Sequence, residues 1–146
     1  LVGAQIRRDT IGIEVNVPPD LPRVECVRQE IQQVFLNIFD NACYSLNQKF
    51  KNGDGDKKLE IFAHAETVGD SQHVVVSFRD HGDGIPADIM NRVMNPFFST
   101  KPHGRGTGLG LSISHAIVTE HGGQMNIESA EGEFTKVDIS LPEMVV

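Results

Sequence analysis

Apolar residues at alternate positions open the readable part of the chain. Ile11, Ile13, Val15 and Val17 are separated by Gly12, Glu14 and Asn16, the period-two pattern of a half-buried strand over 10–17. Pro18, Pro19 and Pro22 stop it and leave 20–24 as loop. The period then changes: Val27, Ile31, Val34, Phe35, Ile38, Ala42 and Leu46 recur at helical spacing and predict a helix over 27–46 with a broad apolar stripe. The polar run 51–57, Lys-Asn-Gly-Asp-Gly-Asp-Lys, is expected to be a mobile turn. Strand-like segments at 59–67 and 73–79 flank Val68-Gly69-Asp70-Ser71 and predict a hairpin. Pro86 is placed to start a short helix over 86–95, and Ile113, Ala116, Ile117 and Val118 predict a longer one over 107–120, ended by His121-Gly122-Gly123. Alternating segments at 124–129 and 134–141, around Ala130-Glu131-Gly132-Glu133, complete a second hairpin. The sum is an α/β two-layer sandwich, with a mixed, mostly antiparallel sheet packed on about three helices, two of them long. Residues 1–9 read as a connector from an upstream domain and 10–146 as one domain, without internal repeat or domain-sized linker.

Composition narrows the setting. A chain of 146 residues, 39% apolar and 23% charged, has the make-up of a single soluble domain with a real core. A net charge of -7 argues against broad contact with nucleic acid or an anionic membrane, yet leaves room for a compact polyphosphate site built from local amides or a metal. Cys26 and Cys43 lie in apolar periodic surroundings and read as buried, reduced thiols, which points to a cytoplasmic domain. No run approaches the roughly 18 apolar residues of a membrane span. Leu1 stands in mid-pattern, so an upstream segment, with or without a membrane anchor, is expected.

Three polar stretches interrupt this pattern. In Gly104-Arg105-Gly106-Thr107-Gly108-Leu109-Gly110-Leu111 three glycines alternate just ahead of a helix, which suits backbone amides and a helix N-terminus facing an anion; a plain flexible loop is the alternative. Asn37 and Asn41 stand one turn apart inside an otherwise apolar helix, where asparagine is a poor choice. Either they hydrogen-bond within the fold or their carbonyl oxygens reach a ligand or hydrated metal. In Asp80-His81-Gly82-Asp83-Gly84-Ile85-Pro86, Asp80 ends a strand and can present an acceptor to a base amine or a water, with Asp83, in a more exposed turn, as its rival. Phe97 and Phe98 are either a hinge anchor beside the glycines or ordinary core. Asp54-Gly55-Asp56 lacks the further ligands of a calcium loop, and His64 and His73 read as strand residues rather than metal ligands.

Taken together, the three stretches resemble the ATP-binding domain of sensor histidine kinases, in the superfamily of DNA gyrase, the Hsp90 chaperones and the MutL proteins, and this resemblance spans about 10–141. It implies the Bergerat fold, with ATP and Mg²⁺ as cofactors. Asn37-Ile38-Phe39-Asp40-Asn41-Ala42 is similar to the N box, which implies Asn41 as the magnesium ligand and Asn37 as its polar support. Asp80-His81-Gly82-Asp83-Gly84 is similar to the first glycine box, implying Asp80 as acceptor of the adenine amine, with Gly82, Gly84 and Ile85 lining the nucleotide. The F box, here Pro96 to Lys101, and the second glycine box imply nucleotide contacts from Phe97, Thr100, Lys101, Gly104, Arg105, Gly106, Thr107, Gly108, Leu109 and Gly110, with Lys101 and Arg105 as lid cations. Two positions depart from the family pattern: His81 stands in place of the common asparagine, and Tyr44 where many of these kinases carry a basic residue. Hydrolysing members place a glutamate at the position of Asn37, and an amide cannot act as general base, so phosphotransfer to a histidine is implied in preference to hydrolysis. None of the six histidines here has the acceptor context, His115 and His121 belonging to the helix after the glycines and its end. The implied partners are an upstream dimerisation and phosphoacceptor domain and a response regulator, with the isolated domain a monomer and the full-length protein a homodimer. A nucleotide-sensing module without phosphotransfer and a conformational ATPase are the alternatives.

Overall fold

The computed structural model describes residues 11–51, 57–93, 95 and 110–144. Its elements follow the order β1 (Gly12–Asn16), α1 (Arg28–Lys49), β2 (Lys58–Val68), β3 (Ser71–Asp80), a single 3₁₀ turn (Met90–Arg92), α2 (Gly110–Glu120), β4 (Gln124–Ala130) and β5 (Phe134–Pro142). The five strands form one sheet in the order β1-β2-β3-β5-β4. β1 runs parallel to β2 and every other pair is antiparallel, so the sheet is mixed and mostly antiparallel. The parallel pair requires a crossover, and α1 supplies it.

Both helices cover one face of the sheet. Ile31, Val34 and Ile38 of α1 and Val118 of α2 are buried against Phe78 of β3, Met125 of β4 and Val137, Ile139 and Leu141 of β5. A second cluster joins Ala42, Cys43 and Leu46, further along α1, to Ile11 and Leu59. Each fully buried Leu, Ile or Val side chain contributes about 2 kcal/mol, so these clusters fix the position of α1 on the sheet. On the uncovered face the register lines up Glu14, Glu60, Arg79, Lys136 and Glu128 as one row of charge across the five strands, the polar side of a one-sided sheet.

One helix end is closed by local backbone bonds and one by a tertiary contact. α2 stops in a Schellman arrangement: Gly123 N–H donates to Val118 O (2.9 Å) and Gly122 N–H to Thr119 O (3.0 Å). His121 then links the helices, its Nε2 accepting from Val27 N–H (3.1 Å) while Nδ1 faces Ile117 O (2.8 Å). Val27 is thus the residue before α1, exposed at 52%, and not a member of its buried stripe.

Several expectations need correction. Among the described residues two α-helices, not about three, pack on the sheet, because the described part of 86–95 forms turns and a single 3₁₀ turn at Met90–Arg92. α1 continues three residues beyond 46, to Lys49. Cys26 is exposed in the loop ahead of α1, and Cys43 alone is buried. The connector 1–9 and most of the 51–57 turn lie outside the described residues. Among the described residues no helix is long and apolar enough to cross a membrane.

Candidate functional site

The polar interruption in α1 is longer than two asparagines. Asn37, Asn41, Ser45 and Lys49 follow one another at four-residue steps and so share one face of the helix over about 18 Å. At its N-terminal end, Asn37 Nδ2 donates to Gly110 O (3.3 Å) and Ser114 Oγ (3.1 Å) in the first two turns of α2, while Gln33 Nε2 donates to Asn37 Oδ1 (2.8 Å). Asn37 is therefore hydrogen-bonded within the fold, tying α1 to the helix that follows the glycine-rich stretch. Toward the C-terminal end, Ser45 Oγ accepts from Asp83 N–H (3.1 Å), and Lys49 Nζ donates to Gly82 O (3.3 Å) and Gly132 O (2.7 Å). Asn41 lies between these two attachments, partly exposed.

Asp80 is the last residue of β3 and faces the helix side, paired across to Leu59 and Thr135. It is 5% exposed, and Gly82 N–H donates to its Oδ1 at 2.9 Å. Burial pushes its carboxyl up to about 6, against the opposing pull of the Gly82 N–H and the charges of His81 and Lys49. At neutral pH the group is still mostly the acceptor-only carboxylate, suited to an amine donor. Asp83, its rival, is exposed.

Both glycines of the turn are required by its surroundings. A Cβ on Gly82 would collide with Ser45 Oγ and Asp80 Oδ1. Gly84 has φ +69°, and a Cβ there would strike the Ala130 carbonyl. Beyond them Ile85 N–H donates to Ser129 Oγ (2.7 Å), and Gly132 N–H to Asp83 O (2.6 Å), so the β4–β5 hairpin forms the outer wall of the turn. His81 turns to the opposite side, where its Nε2 meets Glu60 Oε1 at 2.7 Å; this bond is the first cause of the lowered Glu60 carboxyl.

The structure thus brings together Asn37, Asn41, Asp80, Gly82, Gly84, Ile85 and Gly110, joined by α1. Phe97, Thr100, Lys101, Gly104, Arg105, Gly106, Thr107, Gly108 and Leu109 lie outside the described residues. Sequence reasoning missed Ser45, Lys49 and Ser129. The first two were signalled by continuing the four-residue step past Asn41; Ser129 carries no local signal, because only the hairpin places it under Ile85.

Comparison with known proteins adds an independent line. Residues 26–145 match the family model described as histidine kinase-, DNA gyrase B-, and HSP90-like ATPase. Sporulation kinase E of Bacillus subtilis is 35% identical over 142 residues, 97% of this chain and 18% of its own length. Sensor kinase CckA of Brucella abortus is 39% identical over 141 residues, 92% of this chain and 15% of its own length. The chain therefore spans less than a fifth of either of these curated relatives. Of the solved structures, the nucleotide-free catalytic domain of histidine kinase ThkA superposes with a TM-score of 0.76 at 30% identity, over 97% of this chain and 84% of that one. The mycobacterial sensor histidine kinase MprB gives 0.71 at 26% identity, over 99% and 91%.

Proposed function

We propose a specific reaction for this chain, which belongs to the histidine kinase-, DNA gyrase B-, and HSP90-like ATPase family and, within it, to the catalytic domains of sensor histidine kinases. The domain holds ATP with its γ-phosphoryl group presented to a histidine on a separate dimerisation and phosphoacceptor domain. The observation that carries this reading is the polar face of α1, which joins the buried Asp80 turn at one end to the start of α2 at the other and leaves Asn41 between them. A nucleotide bound along that face has its base at Asp80 and its phosphates toward Asn41 and Gly110.

Each residue has one task in this scheme. Asp80 accepts from the adenine exocyclic amine. Gly82, Gly84 and Ile85 wall the base, and Asn37 holds the start of α2 in place through Ser114 and Gly110. The Asn41 side-chain carbonyl is a hard oxygen of the kind that would hold Mg²⁺, and the ion would supply charge neutralisation along the phosphate chain. Lys101 and Arg105 balance charge on the transferred group. An imidazole nitrogen of the acceptor histidine bonds to the γ-phosphorus in line while the bond to the β–γ bridging oxygen breaks and ADP departs with that electron pair. A response regulator then receives the phosphoryl group. The amide of Asn37, engaged at both its oxygen and its nitrogen, has no basic site with which to activate water, which favours phosphotransfer over hydrolysis.

The test mixes this chain with Mg²⁺, γ-labelled ATP and the acceptor domain of its own parent protein. Acid-labile, base-stable label on the acceptor is expected. Tight ATP binding without label on a correctly paired acceptor would instead support a nucleotide-sensing module, and steady phosphate release by the isolated chain would support an ATPase.

A further inference from the structure

We propose that Lys49 is a positioning residue for adenine recognition, holding the turn after β3 in the one orientation that presents the Asp80 carboxylate. The peptide joining Gly82 to Asp83 is gripped at both ends by α1: its carbonyl accepts from Lys49 Nζ (3.3 Å) and its N–H donates to Ser45 Oγ (3.1 Å), one helical turn earlier. The preceding N–H, that of Gly82, is thereby aimed at Asp80 Oδ1 (2.9 Å). The same ammonium reaches the Gly132 carbonyl (2.7 Å), whose own residue donates its N–H to Asp83 O (2.6 Å). Helix, turn and hairpin tip therefore meet at one cation. Lys49 also has an electrostatic part. The charged groups on the side of Asp80 are Lys49 from α1 and Asp83 from its own turn, while His81, turned to the opposite side, acts from its pairing with Glu60 of β2. Of these, Lys49 and His81 favour the carboxylate and Asp83 opposes it.

This inference rests on Asp80 accepting from adenine, and the experiment separates the two. Binding of Mg²⁺-ADP and Mg²⁺-GDP to the 146-residue chain is titrated between about pH 5.5 and 8.5, where a carboxyl displaced upward by burial changes charge. In the parent chain ADP affinity falls as Asp80 takes up a proton on acidification. Lys49→Met is expected to weaken ADP about tenfold at pH 8, to shrink its preference over GDP, and to move the acid fall to higher pH, because the carboxylate has lost a favourable neighbour. Lys49→Arg, which can bridge the same two carbonyls, restores most of both. A merely structural lysine would leave the position of the acid fall where it was. Asp80→Asn is expected to abolish both the ADP preference and the acid fall. Unchanged ADP affinity and an unmoved acid fall in Lys49→Met, with Asp80→Asn impaired, overturns the Lys49 role alone. Parental behaviour of Asp80→Asn overturns the adenine assignment itself. If Lys49→Met loses its cooperative melt, Lys49→Gln carries the test: it retains a donor without charge, and an acid fall at the parental pH overturns the proposal.

Discussion

Burial of Asp80 sets the stability of the fold against the recognition role proposed for its carboxylate. Its carboxyl is raised from 3.8 to about 6 in the fold, so the folded state favours the protonated form. The stability this group contributes is full below about pH 4 and is lost as pH rises through about 6, a change approaching about 3 kcal/mol. Asn, of the same shape and uncharged, escapes that loss and can still accept from Gly82 N–H. Asp80→Asn is therefore expected to be more stable than the parent chain by about 2–3 kcal/mol at pH 8, with the gap closing toward pH 4 in denaturant titrations. A gap that does not change with pH would show that the carboxylate is not the source. Asp80 and the paired asparagines were legible as anomalies, an acidic residue at a strand end and amides in an apolar helix. The sequence left open what Asn37 does; its partners Gly110 and Ser114 lie 73 and 77 residues away, beyond any local pattern. Burial of Cys26 was misread for a similar reason, since the residues ahead of α1 look periodic until the helix start is known to be Arg28.

Among the elements, α1 and the four longer strands were legible because one-sided burial imposes a period of 3.6 or 2 on their sequences. The segment 86–95 was not, since a proline start signal and a few apolar residues do not ensure that a helix propagates. The hairpin β4–β5 was legible as a hairpin but not as part of the site. Besides Gly132, its contribution passes through Ser129, whose hydroxyl accepts from Ile85 N–H (2.7 Å) and faces Phe134 O (2.7 Å) and Thr135 Oγ1 (3.2 Å). Ser129→Ala leaves that part-buried N–H without its acceptor. A loss of about 1–2 kcal/mol is expected, together with faster hydrogen exchange at Ile85 and weaker ADP binding. Unaltered exchange at Ile85 would remove Ser129 from that attachment.

For the whole molecule, a ligand that binds only the folded state raises its stability by mass action. Mg²⁺-ATP at a hundred times its dissociation constant adds about 2.7 kcal/mol, which for a chain of this size raises Tm by about 5–10 °C. Chelation of Mg²⁺ is expected to cut that shift, and Asn41→Ala to remove its chelator-sensitive part; an Asn41→Ala shift that still responds to chelator would move the metal elsewhere. Architecture at this scale was legible from the order of periods along the chain, whereas the parallel placement of β1 required knowing where α1 crosses. The bond from Lys49 to Gly132 has a consequence for how the protein comes into being. It closes a separation of 83 residues, and the ties from Asn37 to α2 close nearly as many. Contacts so far apart in sequence form only after the entropy of closing the intervening chain has been met, which the β2–β3 hairpin can do early and these bonds cannot. During synthesis Gly132 emerges long after α1, so the nucleotide finds its place only once the β4–β5 hairpin has joined that helix. The ability to hold ATP thereby doubles as a check that the two ends of this site have come together.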